Sequence, residues 1–246
     1  MFNHQTINSK NRHTYQKKNL IKLIYKNYYK DIKKYIIKNN QYTILELGSG
    51  DGNIKKIIKE CVTSDQFRKR NIDMVENIYK INFKNDSISN VVMIDVFHHL
   101  KYPGLALKEI NRVLIKNGRV IMIEPAMGLI PRIIYKIFHY EPNGFNLKIN
   151  WNSVVKKIPS ANEYFAAQSI PWRVFFLREV NLKRYKIKLI KPYSDFAFLL
   201  SGGYSYNSFY PIALYPFVKL IDKLLTYISI KIFSARMLIV LKKNYK

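Results

Sequence analysis

"TILELGSGDGNIKK", residues 43–56, runs apolar up to an acid and then places three glycines within five positions. The chain holds only 9 Gly, so Gly48, Gly50 and Gly52 are a local feature and not a matter of composition. The stretch reads as a buried strand over Thr43–Leu47, a tight glycine turn and a helix over about 53–60. Glycine there permits a positive φ and lets a ligand approach the main chain without meeting a Cβ. A helix start would offer unpaired N–H groups and a partial positive charge to an anionic group. A Walker loop would end in Gly-Lys-Ser/Thr; here Asn53-Ile54 follows Gly52, so that reading fails. A dinucleotide fingerprint would carry its last glycine where Asn53 stands, which weakens that reading. What remains is acid-x-Gly-x-Gly-x-Gly, which Glu46, Gly48, Gly50 and Gly52 fill without a gap, with Ser49 inside it. An ordinary glycine-rich strand-to-helix turn is the competing reading of this stretch alone.

At 246 residues with 48% hydrophobic side chains, the chain suits one α/β domain with a substantial core. Its single cysteine, Cys61, excludes an internal disulfide and a cysteine-based zinc cluster, which points to an intracellular, cytoplasmic protein. The first residues contain no apolar run of the secretory kind. The net charge of +26 predicts attraction to polyanions: nucleic acid, anionic lipid or a phosphorylated substrate. The plainer reading is a solvated basic surface from a composition rich in Lys, Ile, Asn and Tyr throughout. The longest uncharged run, 196–218, is broken by Gly202, Gly203, Asn207, Pro211 and Pro216, so it does not read as a membrane span.

Residues 16–38 repeat Leu20, Ile21, Ile24, Tyr28, Ile32, Tyr35 and Ile36 at helical spacing, which predicts an amphipathic cover helix ahead of the first strand. From residue 43 onward, strand-like and helix-like segments alternate, as in a parallel sheet with helices on both faces. Residues 61–63 and 90–97 read as strands, 105–118 as a helix ending at Lys116-Asn117-Gly118, and 119–125 as the next strand. Two more strands follow over 185–193 and 235–244, with a helix over 216–230 between them. That helix is expected to bury Phe217, Leu220, Ile221, Leu224 and Ile228 while Lys219, Asp222 and Lys223 stay wet.

Over 42–125 the sequence resembles the class I S-adenosyl-L-methionine (SAM) dependent methyltransferases, in particular the ubiquinone/menaquinone-biosynthesis type of domain. Four parts carry the resemblance in order: the glycine turn, Asp65 after the second strand, "IDMVENIYKINFKNDSIS", and "VVMIDVFHHLKYPGLALKEINRVLIKNGRVIMIEP". Departures are Ile81-Asn82-Phe83 where Leu-Pro-Phe is usual, Ser89-Asn90 where Phe-Asp is usual, and a short helix between Asp65 and Asp73. The resemblance implies a Rossmann-like, seven-stranded, mostly parallel sheet with an antiparallel last strand. It also implies one domain over 1–246: a cover helix in 1–41, the SAM-binding core in 42–125, and the remaining strands with a helical, aromatic acceptor-binding insertion in 126–246.

The cofactor implied is SAM, with S-adenosyl-L-homocysteine as product. Glu46, Gly48, Ser49, Gly50 and Gly52 would cradle it, Asp65 would hold the ribose hydroxyls, Asp73 with Met74 the adenine, and Asp95 would stand at the end of strand four. The candidates for acid–base chemistry are His98 and His99 after strand four, and His139 with Glu141 in "FHYEP" after strand five. A helix cap for the first pair and a surface loop for the second are the structural alternatives. No histidine–carboxylate set stands at metal-ligand spacing along the sequence, so no metal is expected.

Methyl transfer to a small-molecule, glycan or lipid-linked acceptor, at a hydroxyl oxygen, is the reading reached. An RNA-directed methyltransferase or nucleic-acid-binding relative is the alternative, favoured by charge but lacking the Asn/Asp-Pro-Pro-aromatic signature after strand four. A non-catalytic SAM-fold interaction protein is the second alternative. The segment 201–230, with Tyr204, Tyr206, Phe209, Tyr210 and Tyr215, is expected to cover the acceptor site, with peripheral contact to an anionic membrane on its inner face.

Overall fold

The computed structural model describes residues 4–39, 41–139, 141–152 and 165–244. Short runs rich in Ile, Val and Leu form seven strands: β1 (Thr43–Leu47), β2 (Cys61–Asp65), β3 (Met74–Val75), β4 (Ile88–Ile94), β5 (Leu114–Pro125), β6 (Tyr185–Tyr193) and β7 (Arg236–Lys243). One sheet holds them in the order β3-β2-β1-β4-β5-β7-β6. The strands from β1 to β5 pair in parallel, and β7 runs antiparallel between β5 and β6. This is the Rossmann-like α/β sheet expected, with its antiparallel last strand. The strand order reverses between β1 and β4, which opens a crevice at the carboxyl ends of those strands.

The helices are α1 (His4–Lys17), α2 (Asn19–Lys33), α3 (Pro103–Val113), α4 (Leu129–Phe138), α5 (Phe196–Leu200), α6 (Tyr215–Ile228) and α7 (Ile230–Phe233). Side chains alternate across β5. Val120 and Met122 enter a core with Leu107 and Ile110 of α3 and Phe175. Ile121 and Ile123 enter a second core with Ile21, Ile24 and Ile32 of α2. With both faces covered, the central strands carry no polar face, which is why they read as continuous apolar runs.

Several expectations need correcting. The helix over 53–60 is a single 3₁₀ turn, Asn53–Lys56, because the chain must reach β2 at Cys61 within a crossover too short for a regular helix. No helix lies between Asp65 and Asp73 either; the chain bends directly into β3. The helix expected to end at Lys116-Asn117-Gly118 ends at Val113, and β5 starts at Leu114. The sequence turn is nonetheless there: Leu114 pairs with Ile88 and Arg119 with Asn90, so 115–118 bulge out of the ladder with Asn117 at φ 65°. The single cover helix is two helices, broken at Lys18, whose ammonium donates to the carbonyls of Ser201 (2.6 Å), Gly203 (2.7 Å) and Tyr206 (2.8 Å).

The largest departure is α6. Most of its expected buried face is outside: Phe217 is 60% exposed, Leu224 55% and Ile228 66%, while Asp222, expected wet, is 2% exposed. Beside Tyr215 and Val218, which enter the core, the inner face carries polar groups with a job there. The Asp222 carboxylate accepts the backbone N–H of Phe196 (2.7 Å) and of Ala197 (3.3 Å), satisfying the start of α5. Lys219 bridges it to Asp195, at 3.1 Å and 3.2 Å. Among the described residues no helix is long and apolar enough to cross a membrane.

Candidate active site

A cavity of ≈ 660 Å³ opens at the carboxyl ends of β1, β2 and β4. Its floor includes Glu46, Gly48, Ser49, Gly50 and Asp65; its roof includes Tyr25 and Tyr29 of α2, with Tyr204 and Tyr206. All three motif glycines have left-handed backbone, φ 71° at Gly48, 58° at Gly50 and 69° at Gly52, but for different reasons. A Cβ on Gly48 would lie 2.4 Å from Val96 Cγ2, and one on Gly52 2.3 Å from the Asn71 carbonyl oxygen. A Cβ on Gly50 would meet nothing within 4 Å, because that position faces the cavity. Two glycines permit packing; the middle one leaves room for a ligand. Since only one 3₁₀ turn follows, the anion-binding helix start inferred from sequence is absent, and the turn itself forms this wall.

The cavity fits SAM on an observation independent of resemblance. Glu46 lines it, is buried, and its Oε2 has no hydrogen-bond partner among the described residues. A buried carboxylate oxygen of that kind suits an ammonium donor such as the amino-acid end of the cofactor. Burial pushes the Glu46 carboxyl up to about 7, with hydrogen bonds from Ser49 and Tyr29 working against the rise. Asp65 is held in place by Gly50 N–H (3.1 Å) and by Lys69 (2.7 Å), with its carboxylate at the cavity wall beside Gln66. A carboxylate there can accept both hydroxyls of a ribose.

Asp73 and Met74 are not brought to the cavity. Asp73 turns to Lys55 (2.5 Å) and to the N–H (2.8 Å) and hydroxyl (3.0 Å) of Thr63, and the bond to Lys55 is the first of the contacts that hold its carboxyl below the usual range. The reason is register: Asp73 precedes β3, whereas ligands meet parallel strands at their carboxyl ends. Glu76 to Tyr79, just past β3, line the wall instead. Gly52 likewise lies against Asn71 and outside that wall.

The histidines cluster. Asp95, in left-handed backbone at φ 56°, ion-pairs with Arg236 and accepts Tyr25 Oη at 3.0 Å. Burial pushes its carboxyl up, but the Arg236 guanidinium prevails and holds it below the usual range. Next along the chain, Glu124 at the end of β5 accepts the backbone N–H groups of Val96 (2.8 Å) and Phe97 (2.7 Å) and faces His98 Nδ1 at 2.8 Å. Burial lowers His98, yet the Glu124 carboxylate outweighs it and the ring titrates above its ordinary value. His99 Nδ1 lies 3.1 Å from the Phe165 carbonyl oxygen. Burial first, and the charge of His98 second, push His99 down to about 4. Glu141 sits among all three rings, 3.8 Å from His98 Nε2, 3.9 Å from His99 Nε2 and 4.0 Å from His139 Nδ1, and accepts the Gln168 amide. His139 also accepts the Glu141 backbone N–H at Nδ1, 3.1 Å away, and is lowered chiefly by burial.

Two sets here offer metal-type ligand atoms within 4.8 Å of one another: His98, His99 and Glu141, and Asp95, His98 and Glu124. The spacing along the chain hides them, because Glu141 and the ends of β4 and β5 meet only in the fold. In the second set Asp95 is engaged by Arg236, and Glu124 by two backbone N–H groups and the His98 ring. Sequence reasoning missed Glu124, Arg236 and Glu76. For the first two a signal existed, since each is a lone charge inside an otherwise apolar strand run, "VIMIEP" and "ARMLIV". Of the aromatic residues expected at the acceptor site, Tyr204, Tyr206 and Phe209 line the cavity. Tyr210 and Tyr215 instead bond Ala197 O (2.9 Å) and Asn27 (2.7 Å).

Residues 45–122 match a family model described as a methyltransferase domain. No curated protein matches the chain. Among solved structures, a SAM-dependent methyltransferase from Methanosarcina mazei is 15% identical, with 88% of this chain and 98% of that one covered and a TM-score of 0.51. A Bacillus halodurans protein proposed to be a methyltransferase is 12% identical, with 88% and 99% covered and a TM-score of 0.50. At these identities the likeness is one of fold, and it extends through the strands beyond residue 122.

Proposed function

We propose that this chain, by domain and fold a SAM-dependent methyltransferase with SAM as its cofactor, methylates a hydroxyl oxygen on an acceptor joining a polar, glycan-like head to an apolar tail. The observation that carries the reading is the bond of His99 Nδ1 to the Phe165 carbonyl. A carbonyl can only accept, so Nδ1 carries the proton and Nε2 is the basic nitrogen, turned toward the Glu141 carboxylate. When bound, SAM supplies an activated methyl group on a sulfonium. His99 Nε2 takes the proton of the acceptor hydroxyl as its oxygen is methylated, and Glu141 stabilises the imidazolium formed. Glu124 and His98 hold the preceding turn rigid, so the base is positioned by buried groups. Ile134, Phe138, Leu199 and Leu200 also line the cavity and give it an apolar wall that suits an acyl or prenyl chain.

The test offers radiolabelled SAM with three acceptors: a lipid-linked glycan, the same glycan without lipid, and RNA. Label in an alkali-stable ether on the lipid-linked glycan is the expected result. Label in RNA alone would replace this reading with a nucleic-acid one.

A further inference from the structure

Apart from Tyr215 and Val218, which enter the core, α6 turns apolar side chains to water and polar ones to the protein. Its polar groups, Asp222, Lys219 and Thr226, face the protein, where Thr226 Oγ1 accepts the Ser194 N–H at 2.8 Å. Its apolar groups, Phe217, Leu220, Leu224, Tyr227 and Ile228, face outward. A surface helix normally does the reverse. More apolar surface lies exposed beside it. α7 packs against both α6 and α4, and α4 exposes Leu129, Ile133 and Ile137. Contiguous exposed apolar surface of this kind marks an interaction site.

The charge around the patch says what it fits. The three helices carry one acid between them, Asp222, and it is buried. Their exposed charges are Arg132, Lys136, Lys223 and Lys231, all cationic, in a chain of net charge +26. An apolar stripe flanked only by cations is complementary to an anionic bilayer, where apolar side chains enter the headgroup boundary and lysines meet phosphates. The patch also continues into the cavity: Phe138, Tyr206 and Phe209 are each more than half exposed and each line it, and Tyr206 Oη donates to the Phe138 carbonyl at 3.1 Å.

We infer that α4, α6 and α7 form a monotopic docking face for an anionic membrane, with the cavity mouth at the lipid surface. Docking itself stands on the surface alone; only the delivery of a lipid-linked acceptor rests on the function proposed above.

The experiment is flotation of the full chain with phosphatidylcholine vesicles and with vesicles containing phosphatidylglycerol, at low and physiological salt. The variants are Ile133→Ser/Leu220→Ser/Leu224→Ser on the patch, Lys136→Ser/Lys223→Ser/Lys231→Ser at its edge, and Lys186→Ser/Lys188→Ser on β6 as a control. Wild type and the β6 control should float with anionic vesicles, and each patch variant should bind at least about tenfold more weakly, since binding scales with apolar area and electrostatic attraction together. SAM affinity by calorimetry should be equal in all four proteins, which shows that each is folded. Equal flotation of the wild type and the apolar triple variant would overturn the proposal. So would a dimer that becomes monomeric in that variant without any vesicle binding, which would make the patch a face between two copies. Vesicle binding without methylation of any lipid-linked acceptor would leave docking standing and remove only the acceptor reading.

Discussion

The imidazole of His99 and the carbonyl of Phe165 are locked together at 3.1 Å, and that contact decides which nitrogen of His99 can act as a base. Removing the ring in His99→Ala should lower kcat by about 10²- to 10⁴-fold, the usual contribution of a general base, and leave SAM affinity intact. The ring titrates at about 4, so it is neutral and competent at neutral pH. At saturating SAM, kcat should therefore be flat around neutrality and fall as the pH drops towards that value. A rate that is unchanged in His99→Ala would move the base to another residue.

The three motif glycines should separate under substitution. Gly48→Ala brings a Cβ against Val96 and should lower the melting temperature. The Cβ of Gly50→Val meets nothing within 4 Å, so the main cost to the fold should be the roughly 1–2 kcal/mol of a left-handed residue. SAM binding by calorimetry should disappear, because the side chain fills the ligand's space. Retained affinity in Gly50→Val would show that the cofactor does not lie against this turn.

Glu46 couples stability to ligand. Its folded carboxyl titrates at about 7, against about 4.5 when unfolded. Over that interval the unfolded chain has released the proton and the folded one has not, so this group makes the protein less stable as pH rises from about 4.5 to 7. Glu46→Gln should remove that penalty, raising stability above neutrality by up to about 3 kcal/mol with little change at pH below 4.5. The same substitution should weaken SAM binding. Thermal melts at acid and alkaline pH, with and without SAM, measure both effects.

Asp73 and Glu76 divide the sequence expectation from the structural one. Asp73→Asn breaks contacts to Lys55 and Thr63 and should lower stability without changing SAM affinity beyond about twofold, as expected for a group remote from the ligand. Glu76→Gln should weaken SAM binding. The opposite pattern in calorimetry would restore Asp73 to the site.

What was legible in the sequence is what local pattern controls. β1 and β6 lie where their apolar runs predicted, and the strand over 235–244 lies antiparallel beside β5 because its run of Met, Leu, Ile and Val allows burial on both faces. Asp73 misled because matching a spaced motif cannot fix where β3 starts, and a residue that precedes the strand lies at the end away from the ligand. The α6 face misled for a different reason. Helical periodicity shows that one face is apolar but not which way it points, and the buried Asp222 cap that sets the orientation is made with a residue far back in the chain. The histidine cluster was half legible, its rings visible as "FHH" and "FHYEP" but not their meeting around Glu141.

Lys18 carries a consequence for how the molecule comes into being. Its three carbonyl partners lie 183 to 188 residues later in the chain. Translation delivers the lysine early and its acceptors only when the last fifth of the chain is made. The nascent protein can pair its first parallel strands before Tyr204 and Tyr206 join Tyr25 and Tyr29 over the cavity, so a ribosome-bound intermediate would hold a half-covered cleft. Contacts of such long range form late and slow folding, since the loop they close must be ordered first. The Lys18 contacts therefore wait for residues 201–206, and a product lacking them would leave the ammonium of Lys18 with none of these acceptors.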